Sequence, residues 1–367
     1  MSSFSVPIKR IRSIDPHPNA DLLEIAAVDG YSSIVKRGEY QAGDLAAYLP
    51  EGSVLPDWLL QHMGFWKDGK GTLAGSEGNR VKAIKLRGVL SQGILFPAKN
   101  NFINVNGANF PVVEGQDVSE LLGVTKYEPP IPVAMSGEVF SVDTNLTLSF
   151  DVENFKSYPD VFQDGEEVVF TEKIHGTCTV VALLPTKHAH PEAFGVNNNI
   201  LIFSKGLGSK GLVFKNNEVN QNNLYVRSTR SVVDSLNLMR ADTPLFVLGE
   251  TYGKGVQDLD YDTALDFNVF AVVEGYRGSQ RFLDWDEVYA FAQLLCVDTV
   301  PVLYRGPFSK EVMLEHTRGK TTLGEKHVRE GIVIVPAVER THPSLGRVCL
   351  KSVSEDYLLR KGGTEFN

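Results

Sequence analysis

The sequence predicts an α+β protein in two parts, a small all-β module followed by a larger domain of antiparallel sheets with flanking helices. Three observations carry this reading. Short alternating apolar stretches set off by glycines fill the first third of the chain, the proline cluster Pro129-Pro130-Ile131-Pro132 then breaks the pattern, and beyond it strand-like runs mix with helical periods. At 367 residues the chain also exceeds one ordinary core of roughly 150 residues.

In the first part the strand-like stretches are residues 22–28, 31–35, 45–48, 81–86 and 92–96, separated by Gly30, Gly38, Gly43, Gly52, Gly88 and Gly93. Short, evenly spaced strands with glycine turns suit a barrel or sandwich. The proline cluster is stiff and extended, so the division expected is a module over 1–128, a linker over 129–140 and a second domain over 141–367. Downstream, residues 167–172, 177–184, 200–204, 245–249, 269–273, 331–335 and 347–351 read as strands. Thr229, Val232, Val233, Leu236 and Met239 recur at helical spacing. Asp284 followed by Glu287 looks like an N-capping pair ahead of Val288, Phe291, Leu294 and Leu295. In 347–351 the period of two puts Val348 and Leu350 on one face, and Arg347, Cys349 and Lys351 on the other.

Composition narrows the class. With 43% hydrophobic and 22% charged residues the chain is globular. No segment approaches the roughly 20 consecutive apolar residues of a membrane helix, and the start, Met1-Ser2-Ser3-Phe4, lacks the apolar stretch of a signal peptide. The three cysteines (Cys178, Cys296, Cys349) lack metal-ligand spacing and fit a reducing, intracellular and cytoplasmic setting. A net charge of -9 argues against a surface that coats nucleic acid all over, while leaving room for a local basic groove.

Six short motifs follow one another in the second part. They are Lys173-Ile174-His175-Gly176, Ser204-Lys205-Gly206, Leu248-Gly249-Glu250, Phe267-Asn268-Val269-Phe270, Arg329-Glu330-Gly331 and Cys349-Leu350-Lys351. Each alone is weak, and a lysine before a glycine turn is common. Glu250 ends a run of apolar residues and Glu330 begins one. Ionisable groups at the ends of buried strands are costly unless paired or used.

With these motifs in this order, the region from about 150 to 360 resembles the covalent nucleotidyltransferase superfamily of ATP-dependent polynucleotide ligases and mRNA capping enzymes. DNA ligases and capping enzymes carry an OB domain after the last lysine motif, whereas only sixteen residues follow Lys351 here. A β-rich module precedes the motifs instead, which is similar to the Deinococcus- and Naegleria-type RNA ligases with their N-terminal OB-fold. Residues 123–130, 204–208 and 353–358 also resemble that family. Two positions depart from the wider pattern, Ala271 where many ligases have aspartate and Val353 where many have a second lysine.

The resemblance implies an OB-like barrel and an adenylyltransferase domain. It also implies ATP as co-substrate, Mg2+ or Mn2+, and an RNA-containing partner with 3′-OH and 5′-phosphate ends, sealed at nicks in duplexes by a monomer. Lys173 would take AMP covalently, and an ordinary lysine pKa of about 10.4 means its charged form must be disfavoured by a divalent ion and Lys351 nearby. Gly176 would let the backbone approach the nucleotide. Glu250 would accept the ribose hydroxyls, Phe270 stack on adenine, and Glu330 hold the metal through water. Lys351 would neutralise the α-phosphate, and Lys205 would hold a 5′-phosphate. His175 stands where DNA ligases have aspartate, as a structural hydrogen-bonder or a ribose or substrate contact.

In the first module Arg80, Lys82, Lys85 and Arg87 form a candidate phosphate-backbone track, or a solvated face. A bulge near Ala83-Ile84 would be needed to align all four. Two other readings stay open, a GTP-dependent capping-type guanylyltransferase and a non-catalytic RNA-binding protein. The latter rests on Asp15-Pro16-His17-Pro18-Asn19-Ala20-Asp21-Leu22-Leu23-Glu24, which resembles a stretch of tRNA-binding OB domains.

Overall fold

The structure, a computed structural model, describes residues 4–324 and 326–364. The chain divides into two compact units, Ser2–Glu128 with Phe155–Pro159, and Pro129–Asn154 with Asp160–Asn367. Among the described residues no helix is long and apolar enough to cross a membrane.

In the first unit β1 (Ile8–Arg10), β2 (Ser13–Pro16), β3 (Leu23–Val28), β4 (Tyr31–Lys36), β5 (Leu45–Leu49), β6 (Ile84–Leu86), β7 (Val89–Ser91) and β8 (Ile94–Ala98) are all short. The central strand β5 is buried along its whole length between β1 and β8, with Ala47 opposite both Ile8 and Phe96. β2, β3 and β4 form an antiparallel meander. Helix α1 (Asp57–Met63) buries Leu59 and Leu60 beside Val6, Ile8, Leu49 and Phe96. It stops at Gly64, whose left-handed φ of 77° lets its N–H reach the last carbonyls. Phe155–Pro159 belongs to this unit although it lies well downstream. The Gly30 N–H donates to the Lys156 carbonyl at 2.9 Å, and Tyr31 Oη meets Ser157 Oγ at 3.0 Å.

The strand expected over 81–86 is shorter than its pattern. Val81 is buried and uses its N–H and carbonyl on Ser53 and Gly52, so regular pairing starts only at Ile84. The proline-rich segment 129–140 is not a free spacer. Met135 packs into the core of the second unit, and the backbone around it is satisfied by Asn220, Asn223 and the Leu224 N–H.

The second unit holds two five-stranded sheets. The first orders β9 (Glu153–Asn154), β18 (Leu350–Val353), β17 (Gly331–Pro336), β10 (Glu167–Lys173) and β16 (Val302–Pro307). The second orders β12 (Ile200–Ser204), β11 (Thr177–Leu183), β13 (Leu245–Tyr252), β14 (Asp266–Glu274) and β15 (Arg281–Phe282). All pairs are antiparallel except β9 with β18. Both faces of these sheets are largely covered, which is why their strands read as near-continuous Val, Ile, Leu and Phe. Helix α2 (Lys205–Ser209) follows β12 directly. Helix α3 (Arg230–Leu236) buries Val232 and Leu236, and α4 (Trp285–Leu294) starts with the capping box expected from Asp284 and Glu287. The segment Ile174–Gly176 carries the chain from β10 in one sheet to β11 in the other, and this crossover positions the site.

Candidate active site

A cavity of about 230 Å³ lies between the two sheets of the second unit. Thr171, Lys173, Val333, Val335, Cys349 and Lys351 line it from the first sheet and its extension. Cys178, Glu250 and Phe270 line it from the second, and Phe150, Asp151 and Lys205 close its side. The alternation read from the sequence therefore holds, since Val348 and Leu350 are fully buried while Arg347, Cys349 and Lys351 face the cavity.

Lys173 ends β10 opposite Gly331, and its Nζ sits 2.7 Å from Glu330 Oε1. Gly331 is required by the close pairing of β17 with β18, since a Cβ there would lie 2.0 Å from the Ser352 carbonyl oxygen. The second carboxylate oxygen, Glu330 Oε2, is buried without a hydrogen-bond partner, 3.8 Å from His175 Nδ1. Such an atom carries a desolvation cost that a ligand could relieve.

Gly176 is required by the protein itself, because a Cβ would strike the Thr251 carbonyl oxygen at 2.2 Å. Its N–H donates to Glu250 Oε1 at 3.1 Å. Burial pushes the Glu250 carboxyl up to about 8, against the pull of Lys173 and the Gly176 N–H. Burial likewise pushes Lys351 below the usual lysine range, and the charge of Lys173 adds to the effect. Three lysines lining one cavity, Lys173, Lys205 and Lys351, the last of them inclined to lose its proton, make a site that gains from a bound anion.

Phe270 owes its direction to an irregularity. The β13–β14 register shifts so that Val269 faces Gly249 and Ala271 faces Leu248, which turns Phe270 toward the cavity. Its ring centroid lies 6.3 Å from that of Phe150, and Lys205 Nζ lies 5.5 Å from the Phe150 centroid. Lys205 starts α2 after its Ser204 N-cap and forms an ion pair with Asp151.

The structure thus brings together Lys173, Gly176, Lys205, Glu250, Phe270, Glu330 and Lys351. The first-module residues divide. Lys82, Lys85 and Arg87 are exposed, whereas Arg80 turns inward, its guanidinium 3.9 Å over the Tyr127 ring. The strand with a bulge that would align all four does not form, because Val81 is bound to Gly52 and Ser53 and regular pairing starts only at Ile84. His17 and Asn19 brace the turn that carries Arg87: His17 Nε2 meets the Leu86 carbonyl at 3.1 Å, and Asn19 Nδ2 donates to the Arg87 carbonyl at 2.8 Å.

Sequence reasoning missed a network around His175. Its ring is buried, with Nε2 2.8 Å from Asp258 Oδ1 and Nδ1 2.8 Å from Tyr357 Oη, while its backbone N–H donates to Tyr261 Oη. Arg360 binds both Asp258 oxygens at 2.9 and 3.0 Å. Despite partial burial, these hydrogen bonds hold Asp258 well below the carboxylate range. It also missed Glu172, which points away from the cavity-facing pair Thr171 and Lys173 toward Thr321, Thr322 and Arg329. Alternation along β10 was the available signal.

The RNA ligase family matches residues 166–353, more than half of the chain and every motif above. An OB-fold domain family matches residues 5–98. No curated protein matches the chain. Among solved structures it is similar to Naegleria gruberi RNA ligase in a mutant with ATP and Mn, at 22% identity over 96% of this chain and 97% of that one, with a TM-score of 0.72. A mutant of the same ligase with AMP and Mn gives 22%, 96%, 97% and 0.73, and the ligase with PPi gives 22%, 96%, 97% and 0.71. These likenesses establish a shared fold. The family match spans the strands that carry Lys173, Glu250, Glu330 and Lys351, and on it the chain belongs to the RNA ligase family.

Proposed function

We propose that the protein is an ATP-dependent RNA ligase that joins a 3′-OH RNA end to a 5′-phosphate end at nicks in duplexes. The observation that carries the reading is Lys173 Nζ held 2.7 Å from Glu330 in a cavity that also presents Glu250, Phe270, Lys205 and Lys351. The similar structures of Naegleria gruberi RNA ligase, with ATP and Mn, AMP and Mn, and PPi, support the choice of nucleotide and metal.

In the first step the neutral Lys173 amine forms a P–N bond to the α-phosphorus of ATP, and pyrophosphate leaves. Glu330 Oε1, 2.7 Å away, is placed to accept the ammonium proton. Lys351 opposes charge growing on the α-phosphate, and being pushed toward neutrality by burial it gains most when an anion arrives. Glu250 spends Oε1 on the Gly176 N–H, leaving Oε2 for the ribose hydroxyls, while Phe270 offers its face to the base. In the second step a 5′-phosphate oxygen displaces Lys173 from the phosphorus, with Lys205 holding that phosphate. In the third a 3′-hydroxyl displaces AMP. Lys82, Lys85 and Arg87 of the first unit contact the RNA backbone.

A divalent ion fits one observation, the buried and unpartnered Glu330 Oε2, a hard oxygen suited to magnesium or manganese through water. Among the described residues no three His, Cys, Asp or Glu side chains cluster to hold a metal alone, so nucleotide phosphates and water must complete the shell. When bound, the ion supplies charge neutralisation at the phosphates.

Incubation with α-labelled ATP and magnesium or manganese tests the reading. The wild type is expected to take one label, and Lys173→Ala none. Preferential labelling by GTP would make the protein a capping-type guanylyltransferase. Failure to label with either nucleotide would leave a non-catalytic RNA-binding protein.

A further inference from the structure

We propose that Arg347 reads the base of the bound nucleotide, donating from its unoccupied Nη1 edge to an acceptor nitrogen of the purine ring. The inference rests on the proposed nucleotidyl transfer and deepens it.

Position comes first. Arg347, Cys349 and Lys351 share one face of an extended segment and all line the cavity. At about 3.3 Å per residue, Arg347 lies roughly 13 Å along the chain from Lys351, the span from a nucleotide's phosphate to the outer edge of its base. The neighbouring strand agrees. Gly331 of β17 pairs with Lys173, whereas the cavity residue Val335 pairs with Val169, four positions further from the nucleophile. Charge is therefore concentrated at one end, with Lys173, Lys351 and Glu250. The other end offers Trp285, Val335 and Cys349, surfaces suited to a flat base.

Fixation comes second. Arg347 Nε lies 3.0 and 3.2 Å from the two Glu339 oxygens, and Nη2 also bonds that carboxylate. The guanidinium carbon sits 3.9 Å over the Phe282 ring centroid. Glu339 is itself held, its N–H donating to Asp284 Oδ1 at 2.7 Å. The side chain is immobilised on one edge and one face, and Nη1 makes no hydrogen bond among the described residues.

Charge comes third. Arg347 and Glu339 neutralise one another, so this end of the cavity does not attract a phosphate. A donor-only group in a neutral pair selects a neutral partner that accepts, and purine ring nitrogens do so.

The test measures self-adenylylation kinetics with ATP and its 1-deaza, 3-deaza and 7-deaza analogues, in which one acceptor nitrogen becomes C–H. For the wild type, one analogue is expected to raise KM by about tenfold with kcat little changed, the cost of one hydrogen bond to a charged donor. Arg347→Met is expected to raise KM for ATP by a similar factor and to be indifferent to that analogue. Equal KM for ATP and all three analogues in the wild type overturns the proposal, and this arm stands even if the variant does not fold. An analogue penalty that persists in Arg347→Met also overturns it. Absence of labelling by every nucleotide would instead sink the nucleotidyl-transfer reading on which it rests.

Discussion

Glu250 is the residue whose environment makes the sharpest demand. Its carboxyl, pushed up to about 8 by burial, holds a proton in the folded protein that it has lost in the unfolded chain above the ordinary carboxyl range. Folding therefore takes up a proton between about pH 4.5 and pH 8, and this group's contribution falls as pH rises through that window, then levels off. Glu250→Gln, which keeps the acceptor for the Gly176 N–H, removes that dependence. Urea denaturation of the nucleotide-free protein is expected to show the variant gaining stability over wild type from pH 5 to pH 8, with a constant difference above. A difference that is flat or shrinks over the window would mean the carboxyl is ionised and solvated. At this scale the sequence was legible where an ionisable residue borders an apolar run, as Lys173, Glu250 and Glu330 do. It was not legible for Asp258, Tyr357 and Arg360. They reach His175 from positions 83, 182 and 185 residues away, and no local pattern marks such partners.

Elements explain both the direction of Phe270 and the fate of the basic run in the first unit. A register shift between β13 and β14 aims Phe270, and sequence alone shows neither the shift nor its consequence. The run from Arg80 to Arg87 reads as one strand, but Val81 is anchored to Ser53 and Arg80 stacks on Tyr127. Only the part from Lys82 onward is presented outward, on a turn braced by His17 and Asn19. The proposed RNA contact then has a measurable size. Lys85→Ala with Arg87→Ala is expected to lower the slope of log affinity against log salt for RNA by roughly 1 to 2, while lysine adenylylation is unchanged. An unaltered salt slope would assign those side chains to an ordinary solvated face.

Across the whole molecule, composition and glycine spacing made a β module and an α+β domain readable, since both follow from periods of two and from turn chemistry. The course of the chain between them was not readable. Met135 sits in a segment whose prolines suggest a spacer, yet it enters the second core, and Phe155–Pro159 belongs to the first unit. A single apolar residue in a polar stretch gives too little pattern to show either. Removing residues 1–128 is expected to leave adenylylation largely intact, weaken sealing of nicked RNA, and lower Tm, because Phe155, now 4% exposed, loses its cover. Full sealing by the truncated protein would place strand recognition in the second unit alone. The central claim is that Lys173 is the nucleophile, and peptide mapping by mass spectrometry after incubation with ATP and magnesium tests it most directly. One AMP is expected, on the peptide containing Lys173. An adduct on Lys205 or Lys351 instead, or none on any lysine, would contradict it.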